Sequence, residues 1–276
     1  MNLKFEKILI KAKRAVFSES IGNNISPFKG EGYDFMELRE YETGDDIKNI
    51  NWNISAKLQK LYVKVFHEQR EYRINIISLL NGSIEYGNKI TKKEILTQIM
   101  AILSYSSVKQ GDSFTNYLLN DSIELLNIPT KKMVHIHSSA KTIYNYNSIG
   151  KIIDINKLNY DLFYQLQKKS ICFLIGDFFD IGDMDLSLLY SKHEIILIII
   201  RDFEEENPEA KGFMNAKDPS TLETFNYTID ENAINVYKKK LADNDRKLYL
   251  HLQSLGIKYV KVYTHENPMS KLRKLF

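Results

Sequence analysis

Apolar residues along this chain follow two rhythms. Residues 3–17 place Leu3, Ile8, Leu9, Ala12, Val16 and Phe17 at helical spacing on a basic background, which predicts an amphipathic helix. Residues 20–60 lose the rhythm: Gly22, Pro27, Gly30, Gly32 and Gly44 are interspersed with acidic residues, and one short helix is expected near 53–58. From residue 61 strand and helix alternate. Leu61–Phe66 alternates like a half-exposed strand, and Arg73–Leu80 reads as a buried one. Thr91-Lys-Lys-Glu94 is a capping box opening a helix with Ile95, Ile99, Ile102 and Leu103 on one face, stopped at Gly111. Phe114–Leu119 and Ile123–Ile128 read as strands around an Asn120-Asp121 turn, residues 131–145 as a helix, and Asn156 as the cap of another carrying Leu158, Leu162, Phe163 and Leu166.

Two apolar runs, Ile171–Ile175 and Ile195–Ile200, do not alternate. Runs of this length suit strands covered by helices on both faces. Residues 202–228 form an acidic, Pro-containing excursion, expected as a loop or small hairpin. Asp230 caps a long helix over 231–254 that ends at Gly256, and Tyr259–Tyr263 is the last strand before a basic C-terminal helix. The alternation predicts an α/β fold, a doubly wound and mostly parallel sheet over residues 73–276, with residues 1–72 as an appendage.

Composition narrows the function classes. The 276 residues include 38 Lys+Arg against 35 Asp+Glu, a net charge of +3 that is too mild to imply nucleic acid or an anionic membrane. The one cysteine, Cys172, excludes an intrachain disulfide and a Cys-cluster metal site, and its place inside an apolar run reads as a buried inert thiol in a reducing compartment. No stretch reaches the roughly 18 apolar residues of a spanning helix, and the charged N-terminus lacks the apolar centre of a signal peptide, so the expected location is the cytoplasm. Phosphate-binding glycine loops, nucleophile elbows and His-Glu-x-x-His motifs are missing from the sequence.

The segment 30–52 carries the densest pattern: Gly30, Gly32, Phe35, Glu37, Leu38, Arg39, Tyr41, Gly44, Asp45, Asp46, Ile50 and Trp52. Gly44 followed by Asp45 and Asp46 suits a turn into a short helix, Arg39 is placed to bond a carboxylate, and Trp52 offers a large surface for burial with one N–H donor. These spacings resemble the signature of the domain-of-unknown-function 58 family, with Asn51 and Lys48 where that family usually has Asp and Arg. Val65-Phe-His-Glu68, Gly111-Asp112, Arg201-Asp202 and Tyr237 extend the resemblance over nearly the whole chain. Two readings of the motif stand side by side: a clasp that pins the appendage to the sheet domain, and a docking surface for a partner.

The family resembles von Willebrand factor A domains, many of which hold Mg²⁺ at the carboxyl ends of their strands. The resemblance aligns that ion site with Leu79, Asn81 and Ser83 after the first core strand, anchored by Gly87, with Asp177 after a later strand and Thr130 as a third-loop candidate. Leu79 stands where a ligating Asp belongs, so weak or no Mg²⁺ binding and no other cofactor is the expectation. The alternative is a site rebuilt around Asp177, Ser83 and Asn81 with water in the vacancies. The resemblance implies a non-enzymatic adaptor working with a MoxR-type AAA+ ATPase and other von Willebrand factor A-like proteins in the assembly, activation or metal insertion of client complexes. A metal-dependent hydrolase using Asp177, and a nucleic-acid module using the basic ends at Lys4–Arg14 and Lys271–Lys274, are the alternatives. Asp177, Asp180, Asp183 and Asp185 lack the order of an EF-hand loop and read as a solvated acidic loop. His135 and His137 read as surface histidines at strand-like spacing.

Overall fold

In the computed structural model, residues 3–18, 35–66, 71–179, 184–209 and 212–275 are described. The chain forms two compact units: the segment Lys29–Glu71, and a larger unit that joins the N-terminal helix to Tyr72–Phe276. The smaller unit is thus shorter than the 1–72 appendage read from sequence, because the N-terminal helix belongs to the larger unit.

The larger unit is an α/β domain. Its strands are β3 (Arg73–Leu79), β4 (Ser113–Leu119), β5 (Ile123–Leu125), β6 (Ile171–Gly176), β7 (Glu194–Arg201) and β10 (Lys258–Tyr263). They lie in the order β10-β7-β6-β3-β4-β5, all parallel except the edge pair β4/β5. Side chains alternate across the sheet, so each unbroken apolar run supplies two cores at once. One face buries Ile74, Ile76, Phe173, Ile196, Ile198 and Val262 with helices α1 (Leu3–Phe17), α3 (Lys92–Gln110), α4 (Val134–Asn145) and α9 (Pro268–Leu272). The other buries Ile77, Leu79, Leu174, Leu197 and Ile199 with α5 (Ile155–Gln165), α6 (Ser187–Tyr190) and α8 (Glu231–Leu255).

Helix α1 lays Phe5, Leu9, Ala12 and Val16 into the first core, and Lys4 pairs with Glu94 at 2.6 Å. Among the described residues no helix is long and apolar enough to cross a membrane. The excursion after β7 resolves into a short helix α7 (Phe203–Glu206) and an antiparallel hairpin, β8 (Gly212–Lys217) and β9 (Thr224–Ile229).

Spatial order places the crossover at the centre. The chain builds β4 on one side of β3, then returns to add β6, β7 and β10 on the other. The carboxyl ends of β3 and β6 therefore flank the point where strand order reverses, which is where open α/β sheets present a ligand crevice.

The smaller unit pairs β1 (Phe35–Glu40) antiparallel with β2 (Tyr62–Phe66), linked through a single 3₁₀ turn and α2 (Trp52–Leu58).

Candidate functional site

Three of the four sequence-derived ion-site residues meet at the β3/β6 reversal. The Asn81 amide donates from Nδ2 to Ser83 Oγ at 2.7 Å and to Asp177 Oδ1 at 3.4 Å, and the Ser83 hydroxyl donates to Asp177 Oδ2. Leu79, in the position of the missing carboxylate, is 2% exposed and packs in the core against Gly176, which has no side chain to oppose it. Thr130 does not join them. It bridges Phe114 at the start of β4, whereas the site lies beyond the level of Leu119 at the other end of that strand, roughly 17 Å away at strand rise. Thr130 is therefore removed from the ligand set.

The position beside Asp177 is filled from within the chain. Lys92, fully buried, directs Nζ to Asp177 Oδ2 at 3.0 Å and to Glu205 Oε1 and Oε2 at 2.9 and 2.8 Å. The rings of Tyr86 and Phe179 flank the ammonium, with centroids at 5.6 and 5.7 Å. Lys92 is the first residue of α3, after the Thr91 N-cap, where the helix dipole disfavours a cation. The two carboxylates supply the compensation. Burial alone would raise the Asp177 carboxyl; the Lys92 ammonium, the Ser83 hydroxyl and the Arg201 charge outweigh it and hold the group below the usual carboxylate range.

A second buried cluster adjoins the first. Arg201, fully buried at the end of β7, donates to Asp245 Oδ1 at 2.7 Å and lies over Phe179, whose centroid is 4.9 Å from Cζ. Lys261 pairs with Glu206 at 2.5 Å and with Asp245 at 3.4 Å, and the Tyr263 hydroxyl donates to Glu206 at 2.7 Å. Tyr237 donates from its hydroxyl to the Glu205 carbonyl at 3.0 Å. Glu205 and Glu206, within the excursion expected from sequence as a loop or small hairpin, thus serve as counter-ions.

Above these clusters opens a cleft of about 370 Å³, lined among others by Asn81, Ser83, Tyr86, Phe179, Glu205 and Tyr237. A neighbouring cavity of about 480 Å³ shares Tyr86, Phe179 and Tyr237 and continues along the β8–β9 hairpin to Phe225, Ile229 and Ile234.

In the smaller unit Arg39 does bond a carboxylate: it grips Asp45 in a fork, NH1 to Oδ2 at 2.9 Å and NH2 to Oδ1 at 2.6 Å, and Asp45 Oδ2 also accepts from the Glu42 amide at 2.8 Å. The guanidinium holds the Asp45 carboxyl below its ordinary value. Asp46 caps the 3₁₀ turn through Lys48 N, Asn51 caps α2 through Ile54 N, and Gly44 supplies a φ of +116°. Tyr41 is half-buried and its amide donates to the Leu61 carbonyl at 2.8 Å. Trp52, expected to be buried, is 62% exposed. The Glu37 side chain lies outside the described residues, as do Asp180 and Asp183.

The remaining candidates settle into ordinary surroundings. His135 and His137 lie on α4, not on a strand, and His137 faces Glu6 at 3.5 Å. Asp185 bonds the Ser187 amide at 2.9 Å. Cys172 is buried, and burial pushes its thiol up to about 11. No group of three or more His, Cys, Asp or Glu that could hold a metal ion occurs among the described residues. Lys92 and Glu205 were missed by sequence reasoning. A lysine at the first position of a capped helix, with the wrong sign for its dipole, was the available signal.

The model of a family described as "Protein of unknown function DUF58" matches residues 37–247. The uncharacterized protein Rv1480 of Mycobacterium tuberculosis and the uncharacterized protein Mb1516 of Mycobacterium bovis are each 21% identical over 123 residues, 44% of this chain and 39% of theirs. Among solved structures, the conserved hypothetical protein BatB of Bacteroides thetaiotaomicron aligns with a TM-score of 0.46 at 8% identity, over 74% of this chain and 96% of that one. An aerotolerance-related membrane protein of Bacteroides fragilis aligns with a TM-score of 0.44 at 9% identity, over 74% and 95%.

Proposed function

Since the chain belongs to the family described as protein of unknown function DUF58, we propose that it is a non-catalytic protein-interaction module, a von Willebrand factor A-like domain that docks partners at its strand-end cleft. The observation that carries this reading is the state of the acidic groups in the cleft wall and beneath it: Asp177 and Glu205 are both committed to Lys92, and Asp245 and Glu206 to Arg201 and Lys261. Carboxylates held in structural ion pairs are poor candidates for proton transfer or nucleophilic attack, which need a group within reach of substrate and able to change charge. What they leave at the surface is an aromatic-rimmed cleft with polar edges, a lining typical of recognition.

The residues fit Mg²⁺ poorly. Leucine cannot ligate, and an ammonium 3.0 Å from the one carboxylate of the expected set repels a divalent ion from that place. Docking in this reading is therefore independent of divalent metal.

The partner the family resemblance implies is a MoxR-type AAA+ ATPase, in the cytoplasm, a setting that suits a lone buried thiol. The exposed Trp52 and the Arg39–Asp45 turn offer a second recognition surface on the smaller unit. Pull-down of the cognate ATPase by the chain, in buffers with and without chelator, tests the proposal. Retention in both, weakened by Tyr237→Ala or Tyr86→Ala, is expected. No retention with any nucleotide, or retention abolished by chelator alone, overturns it.

A further inference from the structure

We infer that the Lys92 ammonium is a covalently attached replacement for a divalent cation, and that removing it turns Asp177, Glu205, Ser83 and Asn81 into a cation site. The inference concerns the charge inside the fold and does not depend on any partner docking above it.

Three observations converge on the same few cubic ångströms. The ammonium lies at the β3/β6 reversal, at the carboxyl ends of the strands, and is held by three carboxylate oxygens, one from the β6 end and two from α7, at 2.8 to 3.0 Å. It is fully buried, as is Asp177 at 1% exposure, so the charge is internal and structural. Beside them the Asn81 side-chain oxygen is buried without a hydrogen-bond partner, although the residue is only 8% exposed and its Nδ2 is spent on Ser83 and Asp177. A buried amide oxygen without a donor costs free energy, which a cation within reach of it would offset.

Asp177 closes the β6 end, Glu205 belongs to α7 after β7, and Lys92 opens α3. One charge therefore ties three elements across the reversal, as a metal ion bound by oxygen ligands would. Lysine does so without dependence on ion supply. Its cost is a cation at a helix N-terminus, offset by two acidic partners. With the ammonium gone, the buried Asp177 and the largely buried Glu205 carboxylates face each other with Arg201 near. A hard divalent cation would draw the oxygens inward by about 0.5 Å, from ammonium contact to the 2.0–2.6 Å of oxygen ligation.

The test is thermal unfolding and calorimetric titration with MnCl₂ of the full chain, the Lys92→Ala variant, and the Lys92→Ala/Asp177→Asn double variant. The expected result has three parts. The unsubstituted chain neither binds Mn²⁺ nor changes its melting temperature with Mn²⁺ or chelator. Lys92→Ala melts lower, binds one Mn²⁺, and regains stability with it. The double variant loses that response. Should Lys92→Ala not fold alone, refolding with Mn²⁺, and the parallel Lys92→Ser variant, decide the matter: recovery of the native fold with the ion supports the inference. A folded Lys92→Ala chain indifferent to Mn²⁺, failure of both variants to fold even with Mn²⁺, or Asp177-dependent Mn²⁺ binding by the unsubstituted chain overturns it.

Discussion

Lys92 takes its importance from where it stands, because a side chain that is solvated in most proteins is here fully buried between two carboxylates. Breaking such a pair by removing one partner leaves an uncompensated charge and typically costs about 3–5 kcal/mol. Asp177→Asn should lose stability of that order at neutral pH, measured by urea unfolding. Its pH dependence has a fixed sign. The folded Asp177 carboxyl is held below its unfolded value, so its contribution is complete above the ordinary aspartate pKa of about 3.9 and disappears as pH falls through the lower folded value. The difference in stability between the chain and Asp177→Asn should therefore narrow on acidification below about pH 4; a gap that widens in acid would contradict the assignment. Cys172, with its thiol raised to about 11 by burial, should resist alkylation in the native state and react on unfolding. At this scale the family resemblance, anchored by Gly87, picked out Leu79, Asn81, Ser83 and Asp177 along the sequence. It hid Lys92 and Glu205, because a helix start and an acidic excursion meet only once the sheet is wound.

Elements were more legible than contacts. The capping box at Thr91 and Glu94 forms as its spacing predicts, and Gly111 and Gly256 end their helices at φ of +82° and +68°. Thr91→Ala should cost about 1 kcal/mol by removing the acceptor for the Glu94 amide, read by thermal melting. The α5 cap is Asp154 where Asn156 was expected; its carboxylate accepts from Lys157 N at 3.1 Å, while Asn156 bonds the Asp185 amide instead. β1 escaped the reading because Phe35–Glu40 is short and set among charges and glycines, where cross-strand pairing with β2 decides the conformation. Gly82 shows why the loop after β3 is built as it is. A Cβ there would meet the Pro219 carbonyl oxygen at 2.2 Å, so the 218–221 turn rests against the glycine backbone. Gly82→Ala must push that turn away from the cleft, at a cost of about 1–3 kcal/mol and with weakened partner retention. An unchanged melting temperature would show that the turn yields freely.

For the whole molecule, the unbroken apolar runs at 171–175 and 195–200 announced a sheet covered on both faces, and the strand order β10-β7-β6-β3-β4-β5 gives them that environment. The division of the chain was less legible: amphipathic spacing showed that α1 buries a face but not against which unit, and that face packs on α3. Trp52, the single tryptophan, is exposed on the smaller unit and reports on it alone. Its fluorescence should be readily quenched by acrylamide in the free chain and shielded by any partner that docks on that surface; emission protected from the outset would contradict its exposure. An internal ammonium stands at the strand-order reversal and joins the ends of three elements. Anomalous diffraction from crystals grown with Mn²⁺ tests this most directly. The prediction is Lys92 Nζ between Asp177 and Glu205 with no manganese peak beside Ser83. A manganese peak within ligating distance of Asp177, with Lys92 displaced, would contradict it.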